Sequence, residues 1–143
     1  MPDILHDFPI AASAAVVFES VTTPRGLDSW WTERSSGTPV VGLDYHLYFG
    51  PKYDWRARVA HCDQDRSFEL EMTRADDDWM HTRVSFHLEE RDNGTWLRFA
   101  HTGWRVPDDH YRISSFCWAM YLRVLKRHVE HGESVPYDQR LNV

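Results

Sequence analysis

The stretch DDHYRISSFCWAMYLRVLKRHVEHG, which spans residues 108–132, carries the clearest structural signal of the chain. Its apolar residues recur at the three- and four-residue spacing that places side chains on one stripe of an α-helix. Asp108 or Asp109 can cap the first turn, and Gly132 can end the last one. We therefore predict one long amphipathic helix that lies on a large apolar surface. The stripe consists of Ile113, Phe116, Cys117, Met120, Tyr121, Val124, Leu125 and Val129.

The apolar surface is predicted by a change of period earlier in the chain. Between Gly42 and His101, apolar and polar residues alternate, which is typical of strands with one buried face. Asp92, Asn93 and Gly94 form a strong hairpin signal because these residue types tolerate positive φ. Short connections favour an antiparallel meander, and the first strand, residues 4–10, adds to it. The alternating segments are residues 43–49, 53–59, 68–72, 84–88 and 97–101.

Two short helices are predicted between the first strand and the meander. Ser13 can cap a helix over residues 14–21, and Thr23 can cap a second one that starts at Pro24. The order is strand, two short helices, strands and long helix. This order predicts an α+β protein with its helices on one face of a curved antiparallel sheet of six to seven strands.

Composition limits the function classes. A length of 143 residues predicts one domain over residues 1–143, with residues 133–143 as a C-terminal tail. The formal net charge of −6 argues against nucleic acid or an anionic membrane as partner. No leader segment and no apolar run near the length of a membrane span is present, so we expect a cytoplasmic protein. Two cysteines, Cys62 and Cys117, suit a reduced compartment.

The chain carries five motifs in this order, namely ASAAVVFES at residues 12–20, Trp30-Trp31, the strand at 42–49, HTGW at 101–104 and the long helix. Together these motifs resemble the START-like superfamily, also called SRPBCC or the helix-grip fold. Within it the sequence is similar to the family named for activators of the heat-shock-protein-ninety ATPase. The resemblance implies a sheet wrapped around the long C-terminal helix, with a cavity for a hydrophobic small molecule between them.

The resemblance also implies which residues line the cavity, namely the inward faces of the strands and of the helix. It carries no shared catalytic motif, so it implies a cavity and not a reaction. The co-chaperones that gave the family its name have an additional N-terminal domain, for which 143 residues leave no room. The expected lining consists of Tyr45, Leu47, Trp55, Phe68, Leu70, Phe86, Leu97, Phe99, His101, Phe116 and Met120.

His101 is the candidate for chemistry. Strand alternation predicts that its imidazole faces the cavity, where it could orient a ligand or transfer a proton, since its unperturbed pKa is about 6.5. Alternatively, the ring is a buried structural group held by hydrogen bonds. His128 and His131 share a helix face, but no third ligand type completes a metal site, so we predict no metal and no cofactor. Further candidates for a polar group in the cavity are Tyr45, Tyr53 and Tyr121. The rings that close the cavity mouth or fill the core are Trp30, Trp31 and Trp104.

Three functions remain open at this point. The first is binding of a hydrophobic or aromatic small molecule between the sheet and the C-terminal helix. The second is a cofactor-independent enzyme of the polyketide cyclase or hydratase type that uses His101. The third is a module that binds a chaperone or another partner, with a homodimer as one form of it.

Overall fold

The computed structural model describes residues 2–143, and within this range the chain forms seven strands and three α-helices. The elements in chain order are β1 (Ile4–Ile10), α1 (Ala14–Thr22), α2 (Pro24–Trp30), β2 (Arg34–Ser36), β3 (Asp44–Tyr48), β4 (Asp54–Asp63), β5 (Ser67–Arg74), β6 (Arg83–Arg91), β7 (Gly94–Thr102) and α3 (Asp109–His131). A short 3₁₀ helix, Tyr137–Gln139, follows.

The strands form one antiparallel sheet in the order β1-β7-β6-β5-β4-β3-β2. Strand β1 pairs with β7, the last strand, so that Ile4 lies opposite His101 and Ile10 opposite Thr95. The chain then crosses through α1 and α2 to the other edge of the sheet and returns strand by strand. This arrangement confirms the predicted α+β class, the six to seven strands and the helix-grip fold.

The short helices begin where the capping residues predict. The Ser13 hydroxyl accepts from the Val16 amide at 3.3 Å, and the Thr23 hydroxyl accepts from the Gly26 amide at 3.0 Å. Gly26 allows the two helices to approach closely, because a Cβ there would lie 2.6 Å from the backbone of Ser20. Helices α1 and α2 therefore pack closely against each other at their junction.

Helix α3 begins and ends as predicted, but only part of the predicted stripe is buried, namely Val124 and Leu125. The side chain of Asp108 accepts from the Tyr111 amide, and Gly132 ends the helix with a left-handed φ of 68°. The prediction that Phe116 faces inward is wrong, since its side chain is 66% exposed, and that of Ile113 is 61% exposed. The buried residues are Ser114, Trp118, Leu122, Val124 and Leu125.

The reason is that apolar side chains occupy more than one face of α3, so spacing alone did not decide which face is covered. Trp118 is the largest apolar side chain on the helix, and burying it removes the most apolar surface from water. It points at the sheet, and Phe116, two positions earlier, is consequently turned to solvent. None of the helices in residues 2–143 is long and apolar enough to cross a membrane.

Candidate functional site

A cleft of about 330 Å³ lies between the first half of α3 and the end of the sheet formed by the β3–β4 turn and the β5–β6 loop. Eight of its thirteen lining residues are aromatic, so its walls are mostly flat rings. Within residues 2–143, the lining contains no Asp, Glu, Lys or Arg. The lining residues are Trp31, Phe49, Tyr53, Trp55, Trp79, His110, Ile113, Ser114, Cys117, Trp118, Tyr121, Tyr137 and Leu141.

Five aromatic side chains form a closed circuit around the inner end of the cleft. The ring centroids of Trp31 and Phe49 are 5.3 Å apart, and those of Phe49 and Trp55 are 5.4 Å apart. Trp79 follows at 4.8 Å from Trp55, and Trp118 at 5.9 Å from Trp79. Trp118 lies 5.1 Å from Trp31 and closes the circuit. All five separations fall in the range in which aromatic pairs attract each other. We call these residues the aromatic circuit.

Each member of the aromatic circuit comes from a different part of the chain. Trp31 is the C-cap of α2, Trp55 lies in β4, and Trp118 lies on α3. Trp79 comes from the β5–β6 loop, where the carbonyl of Asp76 accepts from the amides of Trp79 and Met80 in a tight turn. The sequence presents this loop as acidic, but the turn buries its tryptophan against the cleft.

His101 lies behind the cleft and not on its lining. Its Nδ1 accepts from the indole Nε1–H of Trp118 at 3.0 Å. Its Nε2 donates to the hydroxyl of Thr82 at 2.8 Å, since that hydroxyl donates its own proton to the carbonyl of Trp79. Burial, and secondly the charge of His110, lower the pKa of His101 to about 3. The neutral ring thus has both nitrogens occupied by protein partners.

The other residues expected to line the cavity are distributed differently. Trp55 does line the cleft. Met120 is half-buried and Phe116 is exposed, and neither is part of the lining. The remaining ones are buried in the core outside the cleft lining, and they are Tyr45, Leu47, Phe68, Leu70, Phe86, Leu97 and Phe99.

The short helices pack on the part of the sheet that carries these core residues. Phe18 of α1 packs edge-on against Phe68, with ring centroids 6.5 Å apart. Trp30 of α2 packs edge-on against Phe86 at 6.0 Å. The hydroxyl of Tyr45 donates to the carbonyl of Thr22, at the end of α1. Helices α1 and α2 therefore cover the middle of the sheet. The cleft lies at the end of the sheet that is formed by the β3–β4 turn and the β5–β6 loop.

Residues 133–143, the predicted tail, form a wall of the cleft, and we call them the C-terminal strap. The Arg140 side chain is buried, and its guanidinium donates to the carbonyls of Thr32 (3.0 Å), Asp28 (2.7 Å) and Val135 (3.1 Å). The hydroxyl of Tyr137 donates to the carbonyl of Phe49 at 3.0 Å. These bonds hold Tyr137 and Leu141 against the cleft.

Three residues that form or support the cleft were not predicted from the sequence. Trp79 gave no strand or helix signal because it lies in a loop. Trp118 could have been found from a second stripe on α3, which runs through Ser114, Trp118 and Leu122 at four-residue spacing. The role of Arg140 gave no signal, because its partners are carbonyl groups far away in the sequence.

Four polar side chains of the cleft lie on α3. Ser114, Cys117 and Tyr121 face it along one side of the helix, and His110 lies at its rim. Burial raises the pKa of the Tyr121 hydroxyl above its ordinary value, so Tyr121 is a neutral phenol. No group of three or more His, Cys, Asp or Glu side chains in the described chain is placed to hold a metal ion.

The sequence and the structure of this chain are both similar to those of known proteins. The sequence matches the family described as activator of Hsp90 ATPase homolog 1-like protein over residues 11–130. The solution structure of the Aha1 dimer from Colwellia psychrerythraea is 30% identical, with a TM-score of 0.86, and the match covers 94% of this chain and 100% of that one. No match was found among curated protein sequences.

Two more distant structures share the fold. BH1534 from Bacillus halodurans is 23% identical with a TM-score of 0.77, and the match covers 91% of this chain and 98% of that one. SSP2350 from Staphylococcus saprophyticus is 18% identical with a TM-score of 0.77, over 94% and 96% of the two chains. The family match over residues 11–130 and the 30% identical dimer agree with the resemblance found in the sequence. The chain therefore belongs to the family of activator of Hsp90 ATPase homolog 1-like proteins.

Proposed function

We propose that the protein binds an uncharged, largely aromatic small molecule in the cleft between the sheet and α3. The observation that carries this proposal is the aromatic circuit, which presents ring faces and edges to a space of about 330 Å³. This volume lies at the lower end of the range for small-molecule sites. A flat aromatic ligand can stack on such walls, and it needs no charged partner from the lining.

The binding free energy depends on the apolar surface of the ligand that is removed from water. At about 25 cal/mol per Å², every 100 Å² of buried apolar ligand surface contributes about 2.5 kcal/mol before the cost of association is subtracted. The rings of the aromatic circuit are already packed against one another. The ligand therefore meets side chains that lose little further conformational freedom on binding.

A fluorescence titration with naphthalene tests this function. Trp31, Trp55, Trp79 and Trp118 line the cleft, so a bound aromatic compound is expected to change their emission. The variant Cys117→Phe places a large ring in the cleft and is expected to weaken binding about tenfold or more. Ala119→Phe is the control, because residue 119 is exposed on another face of α3. A saturable change in emission with equal affinity in both variants would remove support for this site.

A second function, self-association, is favoured by one surface feature. Ile113 and Phe116 are exposed on neighbouring turns of α3, and large apolar side chains next to each other on a surface are typical of interfaces. The 30% identical relative is described as a dimer. We propose a second copy of this chain as the partner of this surface. Analytical ultracentrifugation should show a dimer that Phe116→Glu converts to a monomer; a monomeric wild type contradicts it.

A further inference from the structure

His110 is a polar residue at the rim of the cleft, and its contacts define the orientation of its ring. It lies in the first turn of α3 and is one of the residues that line the cleft. Its Nδ1 is 3.1 Å from a carboxylate oxygen of Asp78, in the β5–β6 loop. A carboxylate only accepts hydrogen bonds, so Nδ1 carries a proton and donates it. The ring also packs edge-on against Trp104, with centroids 5.9 Å apart.

The bond to Asp78 decides what the other nitrogen can do. In the neutral imidazole with the proton on Nδ1, Nε2 is an acceptor with a free lone pair. Nε2 has no hydrogen-bond partner among residues 2–143, in contrast to both nitrogens of His101. An acceptor at the rim of an apolar cleft is satisfied by water or by a donor group on a ligand.

We propose that the ligand of the cleft is a hydroxylated aromatic compound whose hydroxyl group donates a hydrogen bond to Nε2 of His110. This inference rests on the proposed binding function and specifies the ligand class. The aromatic circuit takes the rings, and His110 takes the hydroxyl group. Asp78 is a positioning residue, because it fixes the tautomer and the orientation of His110 without reaching the ligand.

Charge at the rim favours a hydroxyl group over a carboxylate. Asp76, Asp77 and Asp78 are exposed in the loop beside His110, and they repel an anionic ligand. The lining within the described residues contains no Lys or Arg to pair with a carboxylate. Tyr121 lies eleven residues further along α3, about 16 Å away at the rise of an α-helix, so its neutral hydroxyl serves the far end of the cleft.

Three compounds with the same ring system separate the possibilities: naphthalene, 2-methoxynaphthalene and 2-naphthol. The first has no polar group, the second only accepts hydrogen bonds, and the third also donates one. Binding is measured by calorimetry at neutral pH on the full chain. We expect 2-naphthol to bind about five- to tenfold more tightly than the other two, which corresponds to one net hydrogen bond.

Two variants test whether the preference for 2-naphthol depends on His110. His110→Phe keeps an aromatic ring but has no acceptor, and it should bind all three compounds with similar affinity. His128→Phe is the control on the same helix, since the Nδ1 of His128 contacts the carbonyl of Glu133 at the other end of α3. If His110→Phe does not fold, Asp78→Ala is used, because it releases the imidazole and should reduce the preference.

The outcomes are distinct. Equal affinity of the wild type for 2-naphthol and 2-methoxynaphthalene overturns the hydroxyl inference while the binding function stands. A preference that persists in His110→Phe overturns the role of His110, as does an undiminished preference in Asp78→Ala where His110→Phe does not fold. No binding of any of the three compounds overturns the proposed function itself.

Discussion

The indole Nε1–H of Trp118 donates a hydrogen bond to Nδ1 of His101 across 3.0 Å, and it thereby joins α3 to the last strand of the sheet. The same tryptophan is a member of the aromatic circuit. One side chain therefore connects the core to the cleft. His101, the residue that stands out in the sequence as a candidate for chemistry, holds this connection from the core side.

The bond between Trp118 and His101 predicts the effect of Trp118→Phe. The substitution leaves Nδ1 of His101 buried without a donor, and an unsatisfied buried acceptor costs about 1–3 kcal/mol. Trp104→Phe is a matched control, since both tryptophans are 1% exposed but the Nε1 of Trp104 has no partner in the part of the chain that the structure describes. In urea unfolding, Trp118→Phe should lose about 1–3 kcal/mol more than Trp104→Phe. Equal losses would contradict the role of this bond.

The low pKa of His101 predicts that stability depends on pH. The folded protein binds this proton only near pH 3, whereas an unfolded histidine binds it near pH 6.5. The unfolded state therefore takes up more protons as the pH falls below 6.5, and stability decreases. Between pH 7 and pH 5 the loss from this group is about 2 kcal/mol. His101→Gln does not titrate, and its unfolding free energy should decrease less over the same interval. Identical pH slopes would show that His101 is not the titrating group.

The hydrogen bonds of Arg140 are expected to protect the C-terminal strap from hydrogen exchange. Its three hydrogen bonds go to backbone carbonyls of Thr32, Asp28 and Val135, so Arg140→Leu leaves these acceptors without their donor. We expect amide hydrogen exchange in residues 133–143 to become about tenfold faster or more, while exchange in the sheet changes little. Arg123→Leu, at an exposed position of α3, is the control. Unchanged exchange in the strap of Arg140→Leu would mean that other contacts hold it.

Opening the strap should also affect the cleft. Tyr137 and Leu141 line it, so the variant Arg140→Leu removes one wall. The affinity for naphthalene is therefore expected to fall in parallel with the faster exchange. Wild-type affinity together with fast exchange in the strap would show that the ligand does not need this wall.

Most of the fold could be predicted because its signals are local. The period of two along the strands, the caps Ser13, Thr23 and Asp108, and the stop at Gly132 each act within a few residues. These features follow from backbone geometry and from the alternation of buried and exposed positions. The pairing of β1 with β7 joins strands that are far apart in the sequence, and the sequence did not predict it.

The cleft could be predicted only in part, because its position depends on contacts between distant segments. Phe18 and Trp30 pack on the middle of the sheet, and the periodicity of the sequence does not indicate this packing. On α3, apolar residues point in several directions, so the choice between Phe116 and Trp118 depends on which one finds a partner in the sheet. Trp79 lies in a loop whose acidic sequence suggests exposure.

Ligand binding in the cleft is tested most directly by an NMR titration with naphthalene that follows the indole N–H signals of the seven tryptophans. We expect saturable shifts for Trp31, Trp55, Trp79 and Trp118, which line the cleft. We expect no shift for Trp96, which lies under the side chain of Arg91 and outside the lining. Saturable shifts at Trp96 with none at the four cleft tryptophans, or no shifts at all, would contradict binding in the cleft.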